Sequence, residues 1–257
     1  MSVFNPNKPV QSKEFLVNRE FLGTSIRCIE WDEINNIIYI GTMEGHIYIY
    51  DMNTNKLEEA ANLLRTVTLI RVVEVKGVNY LFASTTGGCL YCFVVNVNEN
   101  KEIKLIMHNN FCAHEAHKEN TDERFGSLNL FAEIWSLTSN RKSKLYTSNV
   151  SNIETQFLVA TSSEDQTVKI WEINLTGMNT KPVLKHSFKE HHLAVTCLDW
   201  KNMNCLGGEV LISISDDRTI NLHDPLKNFE IVKTLTTMGK VHSWHTLTYA
   251  ALQEVNI

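Results

Sequence analysis

Hydrophobic and polar residues alternate with a period of two along most of this chain. That period predicts β-strands with one buried face, whereas an amphipathic helix would need a period near 3.6 residues. Only the short stretch Leu57–Leu64 approaches helical spacing. The pattern therefore predicts an all-β protein.

Four segments share one frame: a strand rich in β-branched residues, a tight turn and a second, alternating strand. In the two best copies the turn holds an acidic residue and is followed by Thr and a β-branched residue. An aromatic or imidazole ring occupies the same place near the end of each copy. The copies end at Met52, Val95, Ile173 and Pro225, and their rings belong to Tyr50, Phe93, Trp171 and His223.

Another strand with a common pattern precedes each copy. Ser25–Trp31 and Ala194–Trp200 match almost position for position, and Thr66–Val72 and Glu133–Leu137 are weaker members. The first two copies are spaced by the roughly 40–45 residues typical of a four-stranded propeller blade. The longer spacings of the other copies require insertions.

The motif Ser163–Glu172, together with the spacing of the strand pairs, resembles the WD40 repeat. This resemblance covers the chain from about Ser25 onward. It implies an all-β, WD40-type β-propeller with residues 25–257 as its blades and residues 1–24 as an N-terminal extension with a leading strand. At the end of the repeat frame, the Trp-Asp dipeptide of the family stands in altered form, as Trp171-Glu172, His223-Asp224 and Tyr50-Asp51.

The strand count gives about four and a half blades, because a fifth copy begins at Ser243–Tyr249 before the chain stops. Most propellers close with four to eight blades, and closure removes exposed sheet edges. The chain is therefore predicted to form an incomplete or open propeller. Either it is the front part of a longer propeller, or another protein fills the gap with strands.

Many blades of this family hold a buried, hydrogen-bonded set of His, Ser or Thr, Asp and Trp. A buried carboxylate is costly unless donors surround it, so such a set has a structural role. In the third copy Leu130 stands where the His is expected, and in the fourth His223 stands at the Trp position. The structural network implied by the resemblance consists of Thr161, Asp165, Trp171, His191, Ser213 and Asp217.

A zinc site is the sharpest chemical alternative, because Cys89 and Cys92 have zinc-like spacing and His114 and His117 follow them. In the strand register, however, Cys92 falls at an apolar core position and Cys89 on the opposite face. The two thiols would not converge on one ion. We therefore predict neither a metal site nor a cofactor.

Two polar insertions interrupt the repeat, at about residues 109–129 and 139–155. Long loops in a compact domain are usually functional or disordered. The second insertion contains the basic cluster Arg141–Lys144, so the alternative function is an RNA- or RNP-associated propeller. The formal net charge of −5 argues against a general binder of phosphate backbones.

Catalysis is not predicted. His191, Ser213 and Asp217 have the composition of a hydrolase triad, but such a triad is recognised by its geometry. The sequence has no nucleophile elbow and no phosphate-cradling Gly-rich loop. The first ten residues lack the apolar core of a signal peptide, and no stretch is apolar enough to span a bilayer. We predict a location in the cytoplasm or nucleus, with six scattered, reduced cysteines.

The predicted function is a non-enzymatic scaffold for protein–protein interaction within a multiprotein complex. The resemblance implies that the partner docks on the face where the first strand of each blade begins, called the upper face below. Trp135 is the strongest candidate contact, because Trp is enriched among residues that dominate interfaces; the alternative is that it packs against a neighbouring blade. The acidic residues beside it favour a basic peptide segment, and a strand-donating subunit is a second kind of partner. The residues implied for this face are Arg27, Glu133, Trp135, Glu164, Ala194, Thr196 and Asp216.

Overall fold

In the described residues of this chain's computed structural model, sixteen β-strands form four antiparallel sheets of four strands each. The structure describes residues 23–75, 77–98, 102–114, 133–139, 156–174, 180–203 and 208–238. The sheets follow one another along the chain and are called blades 1 to 4. Within the described ranges the helical content is one 3-10 turn, Pro225–Lys227.

Each blade is an antiparallel meander of four consecutive strands. Blade 1 contains β1 (Ile26–Asp32), β2 (Ile37–Thr42), β3 (His46–Asp51) and β4 (Lys56–Asn62). Blade 2 contains β5 (Val67–Val75), β6 (Val78–Thr85), β7 (Cys89–Val97) and β8 (Ile103–Cys112). Blade 3 contains β9 (Ile134–Ser139), β10 (Gln156–Ser163), β11 (Val168–Asn174) and β12 (Val183–Phe188). Blade 4 contains β13 (Val195–Met203), β14 (Gly208–Ser215), β15 (Thr219–Asp224) and β16 (Glu230–Thr236).

The first strands of successive blades contact one another, β1 with β5, β5 with β9 and β9 with β13. The blades are therefore arranged around an axis lined by their first strands, as in a propeller. This arrangement confirms the predicted all-β propeller, and the four described blades are consistent with its predicted incomplete form. The predicted leading strand and the fifth copy at Ser243–Tyr249 lie outside the described residues.

The core consists of apolar clusters between neighbouring blades, built from alternate residues of the strands. Tyr39 and Ile47 of blade 1 pack with Val67 and Ile70 of blade 2. Equivalent clusters join blade 2 to blade 3 and blade 3 to blade 4. Blades 2, 3 and 4 thus bury the starts of their first strands against the sheet that precedes each of them.

The turn between β2 and β3 shows why one position of the repeat requires glycine in blade 1. Gly45 has a φ of 97°, and a Cβ there would lie 2.7 Å from the backbone nitrogen of Arg65. Any side chain would strain the turn and push it against the connection to blade 2.

The polar insertions fall mostly outside the described residues. Residues 109–112 are the last residues of β8, so the strand continues into the range predicted as the first insertion. Ala113 and His114 follow it and are buried. No helix in the described part of the chain is long and apolar enough to cross a membrane.

Candidate protein-interaction face

The first strand of every blade carries a β-bulge at its second residue. The bulged residue is skipped in the pairing with the second strand. Bulges re-aim side chains and are common beside functional sites. The four bulged residues, called the bulge ring below, are Arg27, Thr68, Trp135 and Thr196.

An ion pair joins two blades at this end of the propeller. The Arg27 guanidinium of blade 1 donates from Nη2 to Oε1 of Glu133, which directly precedes blade 3, over 3.1 Å. The starts of β1 and β9 therefore converge within the reach of one side chain. The structure brings these two predicted upper-face residues into direct contact.

Trp135 lies in the bulge of β9 with 44% of its surface exposed. Its neighbours Ile134 and Ser136 are buried, Ile134 in the cluster between blades 2 and 3. The indole of Trp135 is therefore partly exposed at the surface, whereas the side chains on either side of it in β9 are buried.

Backbone hydrogen bonds connect Glu164 with Glu133 and Asp216 with Ala194, all four of them predicted upper-face residues. The Glu164 N–H donates to the Glu133 carbonyl over 3.1 Å, and the Asp216 N–H donates to the Ala194 carbonyl over 3.0 Å. The same bond recurs in blades 1 and 2, from Met43 to Ser25 and from Thr86 to Thr66. Each blade thus fixes its second turn beside the start of its first strand.

A buried polar network lies directly below this face in blade 3. His114 Nδ1 is 2.8 Å from Oδ2 of Asp165, and His114 Nε2 is 2.9 Å from Oγ1 of Thr161. The indole N–H of Trp171 donates to the same Thr161 oxygen over 3.1 Å. The expectation that this copy has Leu130 in place of its histidine is wrong, because His114 supplies the imidazole; Leu130 itself lies outside the described residues.

The contacts of His114 define its protonation. The Asp165 carboxylate accepts from Nδ1–H, so Nε2 accepts from the Thr161 hydroxyl, whose oxygen is free to accept from Trp171. Burial lowers the pKa of His114 and keeps the ring neutral. Burial would raise the pKa of Asp165, but hydrogen bonds from His114 and Thr167 hold it below its ordinary value. Every polar group in the set has a partner.

The corresponding network of blade 4 contains the predicted trio. His191 Nδ1 is 3.2 Å from Oδ2 of Asp217, and Nε2 is 2.8 Å from Oγ of Ser213. This is the order of contacts in a hydrolase triad, but Ser213 and His191 are both buried. A substrate carbonyl could not reach the hydroxyl, so the geometry supports a structural role.

His223 replaces the tryptophan of this network. Its Nε2 is 3.0 Å from Oγ of Ser213, and its Nδ1 is 3.3 Å from the Phe229 carbonyl. The Asn221 amide nitrogen lies 3.5 Å from Nε2 of His191 and belongs to the same network. Burial lowers the pKa of His223 to about 4.

Comparison with known proteins identifies two repeats in this chain. The family model described as WD domain, G-beta repeat matches residues 132–172 and 182–224, which span most of blades 3 and 4. These two regions are WD40 repeats. WD40 propellers are generally non-enzymatic scaffolds, and this fold is consistent with such a role.

A chain in the crystal structure of the mitotic checkpoint complex has a similar fold, with a TM-score of 0.57 and 14% sequence identity. The match covers 85% of this chain and 53% of that chain. This WD40 chain thus spans about half of the length of its structural neighbour. At this identity the likeness concerns the fold alone.

Blade 2 has the WD40 strand pattern without the polar network. Gly87 stands in its turn, and Cys89 occupies the position that Thr167 has in blade 3. Cys92 is buried in the core between blades 2 and 3, on the opposite face of β7 from Cys89. The described residues contain no group of three or more His, Cys, Asp or Glu that could hold a metal ion; His117 is outside them.

Proposed function

We propose that this WD40 protein is a scaffold that docks a partner protein on its upper face, centred on Trp135. The observation that carries the proposal is the bulge ring, because all four blades carry a bulge at the second residue of the first strand and the starts of two of these strands are close enough for Arg27 and Glu133 to pair. Partners of a propeller contact loops from several blades on a rigid frame. The backbone bonds between turns and first strands supply that rigidity.

The chemistry around Trp135 favours a segment carrying Lys or Arg. Glu133 and Glu164 are held together by a backbone bond, and Asp216 occupies the equivalent turn of blade 4. Arg27 is already paired with Glu133. A cation on the partner would meet carboxylates and the face of an exposed indole.

We expect Trp135→Ala to weaken the binding of a basic peptide roughly 30-fold, which corresponds to the loss of about 2 kcal/mol at an interface hot spot. The probe is a Lys- and Arg-rich peptide selected from a displayed random library against the full chain, and its Kd is measured by fluorescence anisotropy. Trp31→Ala is the matched control, because Trp31 is 48% exposed but lies on β1 outside the bulge ring. Selection of acidic peptides, or equal losses in both variants, would refute the proposal.

The alternative of RNA binding depends on Arg141–Lys144, which lie outside the described residues. The carboxylates of the upper face would repel a polyanion, so we favour a protein partner. A steep salt dependence of RNA binding, lost when those basic residues become Ala, would reverse that preference.

A second surface also favours a protein partner, in the form of a strand-donating subunit. Ile26, Ile29 and Trp31 of β1 are 47%, 41% and 48% exposed, and we call them the blade 1 flank. At the same register positions of blade 2, Val67 and Ile70 are 0% and 1% exposed. Blades 3 and 4 bury these positions too, against the sheet that precedes them.

We infer that the blade 1 flank receives a sheet from a partner protein. The interface would repeat those already present between blades 1 and 2, 2 and 3, and 3 and 4. Its occupant would offer an apolar face from its second and third strands, as Tyr39 and Ile47 do for blade 2. The predicted location of such a complex is the cytoplasm or nucleus.

Paired substitutions test whether the blade 1 flank is open. We expect Ile29→Asp to lower the free energy of unfolding by about 1 kcal/mol or less, because the side chain is already in water. Ile70→Asp places the same charge at the same register position in the buried interface between blades 1 and 2, so it should lower the free energy of unfolding by more than about 4 kcal/mol. Urea unfolding measures both. Equal, large losses would mean that the chain covers this flank itself and needs no partner there.

A further inference from the structure

Two cysteines face each other across the outer strands of blade 2. Cys89 at the start of β7 pairs with Cys112 at the end of β8. The Ala113 N–H donates to the Gly88 carbonyl over 2.8 Å, so the backbone bonds flank the cysteine pair. Cys89 and Cys112 therefore form a non-hydrogen-bonded antiparallel pair, the kind in which opposite side chains come closest.

This geometry suits a disulfide. The Cα atoms of a non-hydrogen-bonded pair are about 4.5 Å apart, and side chains of directly opposed residues lie on the same face of the sheet. Disulfides need Cα atoms roughly 4.4–6.8 Å apart. The strand pairing thus provides the required approach without a movement of the backbone.

We propose that Cys89 and Cys112 are a redox-sensitive pair that closes to a cross-strand disulfide on contact with a small-molecule disulfide such as oxidised glutathione. Neither cysteine is in a disulfide in this structure; Cys112 is exposed and Cys89 is partly buried. The pair lies at the end of blade 2 that contributes to the upper face. Its chemistry does not depend on which partner that face binds.

The reaction balances as two thiol–disulfide exchanges. The Cys112 thiolate attacks one sulfur of oxidised glutathione, forms a mixed disulfide and expels one glutathione thiolate. The Cys89 thiolate then attacks the Cys112 sulfur and releases the second glutathione. The protein loses two electrons and two thiol protons, and one glutathione disulfide becomes two thiols.

Other described cysteines are poorly placed to compete. Burial raises the pKa of Cys92 to about 12 and that of Cys28 to about 11, so both remain thiols at neutral pH. Cys197 neighbours Ile214 across its strand pair rather than a second thiol.

Closure would also act on the adjoining WD40 network. In the reduced chain the Cys112 thiol donates to the His114 carbonyl over 3.3 Å. His114 then reaches across to Asp165 and Thr161 of blade 3. Disulfide formation would remove the thiol proton that Cys112 donates to the His114 carbonyl. Oxidation of the cysteine pair would therefore act on the residue whose imidazole holds the blade 3 network together.

The test treats the folded, full-length chain with oxidised glutathione, traps free thiols by alkylation and maps tryptic peptides by mass spectrometry. Cleavage after Lys76, Lys101 and Lys104 puts Cys89 and Cys112 on different peptides. We expect one cross-linked pair of these peptides, lacking two hydrogens, which reverts when reduced. Glutathione adducts that persist on Cys112 without the cross-link would overturn the proposal.

Matched variants separate this pair from its neighbours. The peptide that contains Cys89 also contains Cys92, so the cross-link must survive Cys92→Ala and disappear in Cys89→Ser. Cys197→Ser is the control for loss of an unrelated thiol and should leave the cross-link yield unchanged. A cross-link that survives Cys89→Ser would assign the disulfide elsewhere and contradict the proposal.

Discussion

Replacing His114 by Ala is expected to lower the free energy of unfolding by about 3–5 kcal/mol, because Asp165 and Thr161 lose buried hydrogen bonds and the buried ring leaves a cavity. The Asp165 carboxylate is buried beside the ring and would lose its 2.8 Å contact with Nδ1. The Thr161 hydroxyl would lose the Nε2 acceptor as well. Urea unfolding followed by circular dichroism measures the difference.

His46→Ala is the matched control for this loss. His46 also pairs with a carboxylate, that of Glu59 at 2.8 Å, but this pair is exposed and should contribute at most about 1 kcal/mol. If His114→Ala does not fold, Thr161→Val removes only the hydroxyl between His114 and Trp171, at an expected cost of about 1–3 kcal/mol. Losses no larger than that of His46→Ala would contradict the network.

Acidification from pH 6.5 to pH 4 is expected to destabilise the protein through His223 alone, by at most about 1.4 kcal/mol per pH unit in the middle of this window. In the unfolded chain His223 binds a proton near its ordinary pKa of 6.5, whereas the folded ring does so only near 4. The unfolded state therefore holds more protons in this window, and stability falls as the pH falls. Burial lowers the pKa values of His114 and His191 too, which acts in the same direction.

The slope of the unfolding free energy against pH tests this expectation. His223→Trp replaces the titrating ring by the single N–H donor that blade 3 uses, so its slope should be shallower by about one proton. A stability that does not change between pH 6.5 and 4, or an unchanged slope in His223→Trp, would contradict the assigned protonation.

The fold could be predicted because the hydrophobic alternation and the repeated copies in the sequence fix the positions of the strands in each blade. Alternation identifies the strands, and the aligned copies identify Trp171 and His223 as equivalent. The same alignment placed Arg27, Trp135 and Thr196 at one position, which the structure shows to be the bulge. Thr68 belongs to the same ring but was missed, since Thr66–Val72 is one of the weaker copies.

His114 was missed for a different reason. In blade 4 the histidine lies four residues before its first strand, and this offset led to Leu130 in blade 3. His114 instead lies twenty residues before Ile134, at the other end of the polar segment. The constraint is spatial, because the imidazole must reach Asp165 and Thr161, and the chain length between them is free to vary. The prediction ended the preceding strand before residue 109, whereas β8 runs to Cys112 and places His114 two residues beyond its end.

Long-range pairing limits what the sequence shows of blade 2. A register shift between Cys92 and Phe93 sets which residue of β8 lies opposite Cys89. A pairing without that shift would place a different residue there. The opposition of Cys89 and Cys112 therefore emerges only from the folded sheet, as does the contrast between Ile29 and Ile70.

The most direct test of docking on the upper face is amide hydrogen exchange of the full chain with and without the selected basic peptide. We predict slower exchange in the turns that follow the second strands, residues 43–45, 86–88, 164–166 and 216–218, and at the starts of the first strands. Exchange in the fourth strands of the blades should not change. Protection confined to the fourth strands or to the blade 1 flank, with these turns unaffected, would contradict docking on the upper face.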